Sequence, residues 1–183
     1  MASKPPDPRI ARTRQVLHAA LVSLITEKPF ANVTVQDIAA RAGVGHATFY
    51  RHYPTRDALL ADVADGLIMD LAAVIAPMLQ SRDTAAAART LTEFVAANRA
   101  LCSGLLVGAS DAMRRTLTDR ATAIGRHVGT DTPTWLPPAL GVVHAVGATL
   151  AILGWWLEHD AGRSNAEIAT ILDRLVFAPL SIT

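Results

Sequence analysis

The stretch from Thr34 to Leu60, TVQDIAARAGVGHATFYRHYPTRDALL, constrains the fold more than any other, because its spacing dictates one local geometry. Thr34 stands where a side-chain oxygen can accept from a first-turn backbone N–H, and Asp37, three residues on, suits the positive end of a helix. Val35, Ile38, Ala39 and Ala42 then recur at helical spacing as an apolar stripe. Gly43 follows where the chain must take a positive φ to leave one helix and enter another within a few residues, which glycine does without a Cβ penalty. Val44 fills the corner. The next helix turns Phe49 inward and leaves His46, Ala47, Thr48, Tyr50, Arg51 and His52 largely on other faces, until Pro54 ends it. Two short helices about a glycine turn, the second rich in polar tips and aromatics, predict a helix-turn-helix whose second helix enters the major groove of duplex DNA.

The Thr34-Val35-x-x-Ile38-Ala39 opening, the Ala42-Gly43-Val44 turn, the Thr48-Phe49-Tyr50-x-His52-Tyr53 helix and the closing acidic-Leu-Leu together resemble the DNA-binding signature of TetR-family transcriptional regulators. An ordered set over nearly thirty positions is far more specific than a glycine turn between helices. Two positions depart from the family pattern. Gly45 stands where Ser or Thr usually caps the recognition helix, which weakens a cap, and Arg56 stands where Lys is usual, which keeps the charge. The resemblance implies that Gln36, His46, Ala47, Thr48 and Tyr50 lie nearest the bases, with Thr34, Tyr50, Arg51, His52 and Arg56 nearer the phosphates and Gly45 heading the recognition helix. The chemistry agrees: Gln and His can read base edges, the methyls of Ala47 and Thr48 can touch thymine, and an arginine needs only charge to hold a phosphate.

Charge is distributed to match. The net charge of +1 hides an excess of eight Lys and Arg over three Asp and Glu in residues 1–56, against nine over thirteen in the remainder. A positive field concentrated at the helix-turn-helix is what phosphate binding requires. The chain of 183 residues, 51% hydrophobic but only 5% aromatic, has the composition of Ala-, Leu- and Val-rich helices around a substantial core. The single cysteine, Cys102, rules out an intrachain disulfide and reads as a small buried side chain. No Ser/His/Asp set, phosphate-cradling loop or paired-His spacing stands out, so no catalytic residue, metal or cofactor is expected.

The rest of the chain is predicted to be all-α, about nine helices in total, with no segment alternating at period two. Three prolines in residues 1–8 predict an arm rather than a helix. A first helix from Arg9 to about Thr26 carries Ile10, Leu17, Ala20, Leu21 and Leu24 inward and stops at Pro29, after which Phe30 and Val33 pack beneath the helix-turn-helix. Residues 1–54 then form a three-helix DNA-binding domain with its arm, and residues 55–183 a helical ligand-binding and dimerisation domain. Thr55 caps a long helix to about Leu79 with Leu60, Val63, Leu67, Leu71, Val74 and Met78 on one face, a rod able to carry displacement from one domain to the other. Leu91, Phe94, Val95, Leu101, Leu105 and Leu106 continue the apolar pattern, and Ser110 or Asp111 starts a helix with Met113, Leu117, Ala121 and Ile124 inward. A loop of Gly, Thr and Pro from Gly129 to Pro138 precedes the longest apolar run. Ala139 to Leu157, 19 residues with only His144 ionisable, is long enough to span a bilayer, but neither flank carries the Lys or Arg that would orient it. It is expected to be a helix buried on nearly all sides in a soluble, cytoplasmic assembly.

The resemblance implies a homodimer built from Ala139–His159 and Asn165–Phe177 of each chain. Gly141, Ala145, Ala148, Ala151 and Gly154 keep one side of the first helix small enough for close approach, and Ile168, Ile171, Leu172 and Leu175 extend the interface. It also implies a repressor released from a palindromic operator by a small, mostly apolar effector. The lining expected for such a pocket is Leu67, Leu71, Met78, Phe94, Leu105, Met113, Leu117, His144 and one of the adjacent pair Trp155 or Trp156, although for each residue singly an ordinary place in the core is the competing reading. A constitutive DNA-binding protein without effector, and an enzyme, are the alternatives.

Overall fold

Capping and stop residues divide the chain into helices much as the pattern predicts. The computed structural model describes residues 8–108, 111–128, 133–160 and 162–181, the side chains of Pro8, Ala112, Met113 and Val128 excepted. Among them are nine helices and no strand: α1 (Pro8–Glu27), α2 (Val35–Ala42), α3 (His46–His52), α4 (Arg56–Gln80), α5 (Thr84–Ala97), α6 (Arg99–Leu106), α7 (Asp111–Val128), α8 (Pro138–His159) and α9 (Asn165–Leu172). A 3-10 turn, Phe30–Asn32, precedes α2, and α9 runs on through a π-helical turn, Asp173–Phe177, into a last turn, Ala178–Leu180. The expected arm over residues 1–7, the Ser110 cap and residues 129–132 of the Gly129–Pro138 loop lie outside the described residues.

The helices form two compact units, one up to Val63 and one from Ala64, so the division falls inside α4 rather than ahead of it. In the first unit, α1 packs on α2 and α2 on α3. Leu17, Leu21 and Leu24 of α1, Phe30, Val33, Ile38, Phe49, Leu59 and Leu60 make its core. Ile10 is exposed in the first turn of α1, while Ile25 is buried at the opposite end of the stripe. The start of α2 is fixed by a reciprocal cap: Thr34 Oγ1 accepts from the Asp37 N–H at 3.1 Å, and the Asp37 carboxylate accepts from the Thr34 N–H at 2.8 Å. Gly43 closes that helix at φ +66°, a left-handed conformation that a side chain would strain.

In the second unit, α5 packs on α9, and α6 and α7 on α8. Leu91, Val95, Leu153, Trp156, Ile168, Leu172 and Val176 centre the core. The inner face of α4 steps through Leu67, Leu71, Ile75 and Leu79, leaving Val74 50% exposed. Successive helical residues point about 100° apart, so reading the step after Leu71 as three residues rather than four turns the stripe away from its neighbours. The apolar run of α8 has a mean hydropathy of 1.7 over its most apolar window, of which only 17% is buried within the chain. One copy of the chain therefore does not supply the nearly complete burial expected of this helix.

Candidate DNA-binding surface and apolar cavity

The recognition helix is anchored from below and left polar above. Phe49 is fully buried, with its ring edge-on to Tyr50 at 5.5 Å and tilted toward Tyr53 at 6.2 Å. One helical face away, His46, Ala47, Tyr50 and Arg51 are exposed at spacings of one, four and five residues. Thr48 and His52 are half-buried at the edges of that face. The His46 and Tyr50 rings meet edge-on at 6.2 Å, which limits the rotamers available to the tyrosine. Gly45 occupies the N-cap in an extended conformation and supplies no side-chain cap. Gln36 and Thr34 are exposed at the start of α2.

Several groups expected at phosphates already have partners. Thr34 Oγ1 donates to Asp37 Oδ2 at 2.8 Å, so its hydrogen is committed to the cap. Arg56 Nη1 donates to the carbonyl oxygens of Phe30 at 3.1 Å, of Ala31 at 3.0 Å and of Val33, and the guanidinium lies 4.8 Å over the Phe30 ring. This arginine secures the turn that delivers the chain to α2. Three more cations are paired internally: Lys28 with Asp37 at 2.7 Å, Arg41 with both oxygens of Glu27 at 2.7 and 2.8 Å, and Arg14 Nη2 with both oxygens of Asp62 at 2.8 Å. Arg12 and Arg51 are exposed and make no ion pair among the described residues.

Asp62, on the second turn of α4, gathers a network that joins α1 to the residue ending the recognition helix. Besides Arg14, its Oδ2 accepts from Tyr53 Oη at 2.5 Å and lies 2.7 Å from His18 Nε2. A carboxylate only accepts, so His18 must carry its hydrogen on Nε2. Burial pushes the Asp62 carboxyl up, but the hydrogen bonds from Tyr53, Arg14 and His18 outweigh it and hold the group below its usual range. Burial, with the bond to Asp62, pushes the Tyr53 phenol up to about 12. Nothing in the sequence spacing announces this cluster, whose members lie up to 48 residues apart.

The second unit holds a partly open cavity of about 240 Å³ lined by α4, α5, α6, α7, α8 and the last turns. Of the residues named for an effector pocket, Leu67, Leu71, Phe94, Leu105 and Leu117 line it, joined by Ile75, Val142, Val146, Thr149 and Leu150. Met113 lies outside the described side chains. Three expected lining residues are elsewhere. Met78 packs beside the core, its sulfur 3.5 Å from the Thr90 hydroxyl, His144 is exposed, and Trp155 is 46% exposed and stacked on His159. The reason is the phase of α8: Gly141, Val142, Ala145, Val146, Thr149 and Leu153 face the cavity, which turns Val143, His144, Gly147, Ala151 and Trp155 the other way. Trp156, the other tryptophan of the pair, is buried in the core rather than in the cavity wall. Cys102 reaches the wall with its thiol pushed up to about 11 by burial, so it remains a protonated, weakly polar group.

The same phase decides where the residues expected at the dimer interface lie in a single chain. Gly141 and Ala145 face the cavity, a Cβ on Gly154 would meet Leu106 Cβ at 3.9 Å, and Ile168 and Leu172 are 0% exposed in the core of a single chain. Ala148 packs partly against that core, Ile171 is half-buried, and Ala151 and Leu175, the latter 62% exposed, point outward. Leu140, Val143, Gly147, Ala151 and Trp155 form an uncovered apolar face of α8, and Leu175, beyond α9, is exposed as well. No group of three His, Cys, Asp or Glu is placed to hold a metal among the described residues.

Residues 17–63 match the family model of bacterial regulatory proteins, tetR family. Over 55 residues, 30% of this chain, the sequence is 38% identical to YxbF, an uncharacterised HTH-type transcriptional regulator of Bacillus subtilis (strain 168), and the match spans 14% of that protein. The fold is similar over 90% of the chain to a TetR-family transcriptional regulator from Syntrophomonas wolfei, of which it covers 92%, with a TM-score of 0.73 at 17% identity. It is similar over 93% to Thermus thermophilus FadR, a TetR-family transcriptional repressor in complex with lauroyl-CoA, covering 96% of it with a TM-score of 0.67 at 20% identity.

Proposed function

We propose that this chain, whose residues 17–63 match the tetR family model, is a TetR-family transcriptional repressor that binds a palindromic operator as a homodimer and is released by a small apolar effector. The observation that carries this reading is the presence, in one chain, of an exposed polar recognition face on α3 and an apolar cavity of about 240 Å³ in the second unit. A constitutive DNA-binding protein has no use for the cavity. Direct readout falls to Gln36, His46, Ala47, Thr48 and Tyr50, and phosphate contact to Arg51, His52 and Tyr50. The protein is assigned to the cytoplasm, with no catalytic activity.

The homodimer rests on the apolar face of α8. Leu140, Val143, Gly147, Ala151 and Trp155, with Leu175, are left uncovered by the chain's own packing, and a second copy related by a two-fold axis would bury them without an aqueous gap. Two recognition helices set roughly 34–36 Å apart would then meet successive major grooves. Release requires an effector with different affinity for the two states of the dimer. A coupling of about 1–3 kcal/mol, carried along α4 from Leu67 and Leu71 to Arg56, weakens operator binding roughly 5- to 150-fold. The test is a thermal-shift screen of small apolar compounds against the dimer, with each stabilising compound assayed for operator release in a gel shift. Compounds that stabilise the protein and leave operator affinity unchanged refute release.

A further inference from the structure

The chemistry of the cavity wall narrows what can enter it. Among the described residues that line it, only Cys102 and Thr149 carry a side-chain polar atom, and no carboxylate, imidazole, ammonium or guanidinium is among them. A charged group placed there would lose its hydration and gain no counter-charge, which in practice means that it stays in water. The Cys102 thiol is a weak donor at best. Thr149, like Thr48 and Thr122, differs from the helix threonines that bond back to the backbone. The hydroxyls of Thr13, Thr92, Thr118 and Thr170 each donate to the carbonyl four residues back at 2.8 to 3.1 Å. The Thr149 hydroxyl makes no hydrogen bond among the described residues, and its oxygen is not among the buried polar atoms sealed off without a partner. It stays reachable at the wall of the cavity, able to donate one hydrogen bond and accept others.

We propose that the effector is an uncharged molecule with a hydrocarbon body and an oxygen function, such as a hydroxyl or carbonyl, and that Thr149 orients it by hydrogen bonding to that oxygen. The proposal rests on the reading of the cavity as the effector site. The hydrocarbon body fills a wall supplied by Leu71, Ile75, Phe94, Leu117 and Val146, where shape and not polarity selects. The oxygen function sets the direction of entry, because a single satisfied hydrogen bond inside an apolar cavity discriminates strongly against orientations that leave it unmade.

Binding of octanol, octane, octanoate and octyltrimethylammonium to the full-length dimer is measured by calorimetry and thermal shift, in the wild type, Thr149→Val and Ala145→Phe. Octanol is expected to bind the wild type and to weaken roughly 2- to 10-fold in Thr149→Val, an isosteric change, while octane binds both proteins equally or the variant more tightly. Octanoate and octyltrimethylammonium are expected to bind at least about 100-fold more weakly than octanol. Ala145→Phe, which fills the cavity, abolishes all binding. Ionic probes within tenfold of octanol overturn the neutral class while leaving the cavity reading intact, and octanol binding indifferent to Thr149→Val overturns the orienting role. If no probe binds, or if binding survives Ala145→Phe, the effector-site reading itself fails and takes the proposal with it.

Discussion

Replacing Arg56 by Met separates two roles that this arginine could play. The substitution keeps an unbranched stem against Phe30 and removes the donors. Nη1 has two hydrogens and reaches three carbonyl oxygens, so the loss amounts to about two charge-assisted hydrogen bonds, each worth roughly 1.5–3 kcal/mol. Arg56 is half-buried and the carbonyl of exposed Ala31 can turn to water, which discounts the total to about 2–3 kcal/mol. For a chain of 183 residues that lowers Tm by roughly 4–12 °C. Operator and random duplex should both bind more weakly, because the turn that positions α2 is loosened whatever the sequence read by α3. The salt dependence decides the matter. An arginine that neutralised a phosphate would take about 0.9 from the slope of log K against log salt for each protomer when removed, whereas an arginine that only secures Phe30–Val33 leaves a parallel, displaced line. Arg56→Lys should recover part of both losses, since an ammonium can reach one or two of the carbonyls but cannot fork between them. A reduced slope with an unchanged Tm in Arg56→Met refutes the clamp and returns the residue to the phosphates.

Arg51→Ala is the converse case: exposed and outside any internal ion pair, it should lower the salt slope by about 0.9 per protomer in operator titrations and leave the melting temperature where it was. Gly147→Arg places a charge on the uncovered face of α8, where a Cβ meets nothing within 4 Å, and should give a folded monomer by sedimentation at micromolar concentration. Gly154→Arg, aimed at Leu106 in the same chain, should instead lower Tm, and a dimeric Gly147→Arg protein counts against the proposed interface. Asp62, held below its usual range in the folded chain, contributes stability that is present above the unfolded carboxylate value of about 3.9 and is lost as pH falls through the lower folded one. Asp62→Asn should therefore melt lower than wild type at neutral pH, with the gap in Tm closing below about pH 4.

The first unit was legible in the sequence to the extent that its determinants are local. A capping box spans three residues, a left-handed glycine is one residue, and the inward phase of α3 follows from Phe49 and Pro54, so the helix-turn-helix could be read without knowing what packs against it. The electrostatics of the same unit are not local. The excess of positive charge over residues 1–56 was visible, but ion pairs between residues nine to 48 apart decide which cations remain for DNA, and they withdraw Arg14, Lys28 and Arg41 from the count. Arg56 shows the same limit, because its carbonyl partners lie 23 to 26 residues back on an irregular turn with no side-chain pattern to mark it.

α8 resisted reading for a different reason. Its apolar residues surround the helix, so the sequence carries almost no information about which side faces the chain's own fold and which faces outward. Small residues were read as places where a second helix approaches, yet Gly141 and Ala145 border the cavity, where a missing side chain opens volume. The close approach occurs instead at Gly125 of α7, where a Cβ would stand 3.0 Å from Val142 Cγ1. That contact seats Val142 and Val146 toward α7 and so fixes the rotation of α8. His144 then has to point outward, and the one ionisable residue of the run from Ala139 to Leu157 marks the side away from the cavity. With this rotation set, Thr149 comes to the cavity wall and Gly147 and Trp155 to the opposite side, so a single packing contact assigns both the proposed effector site and the proposed dimer face.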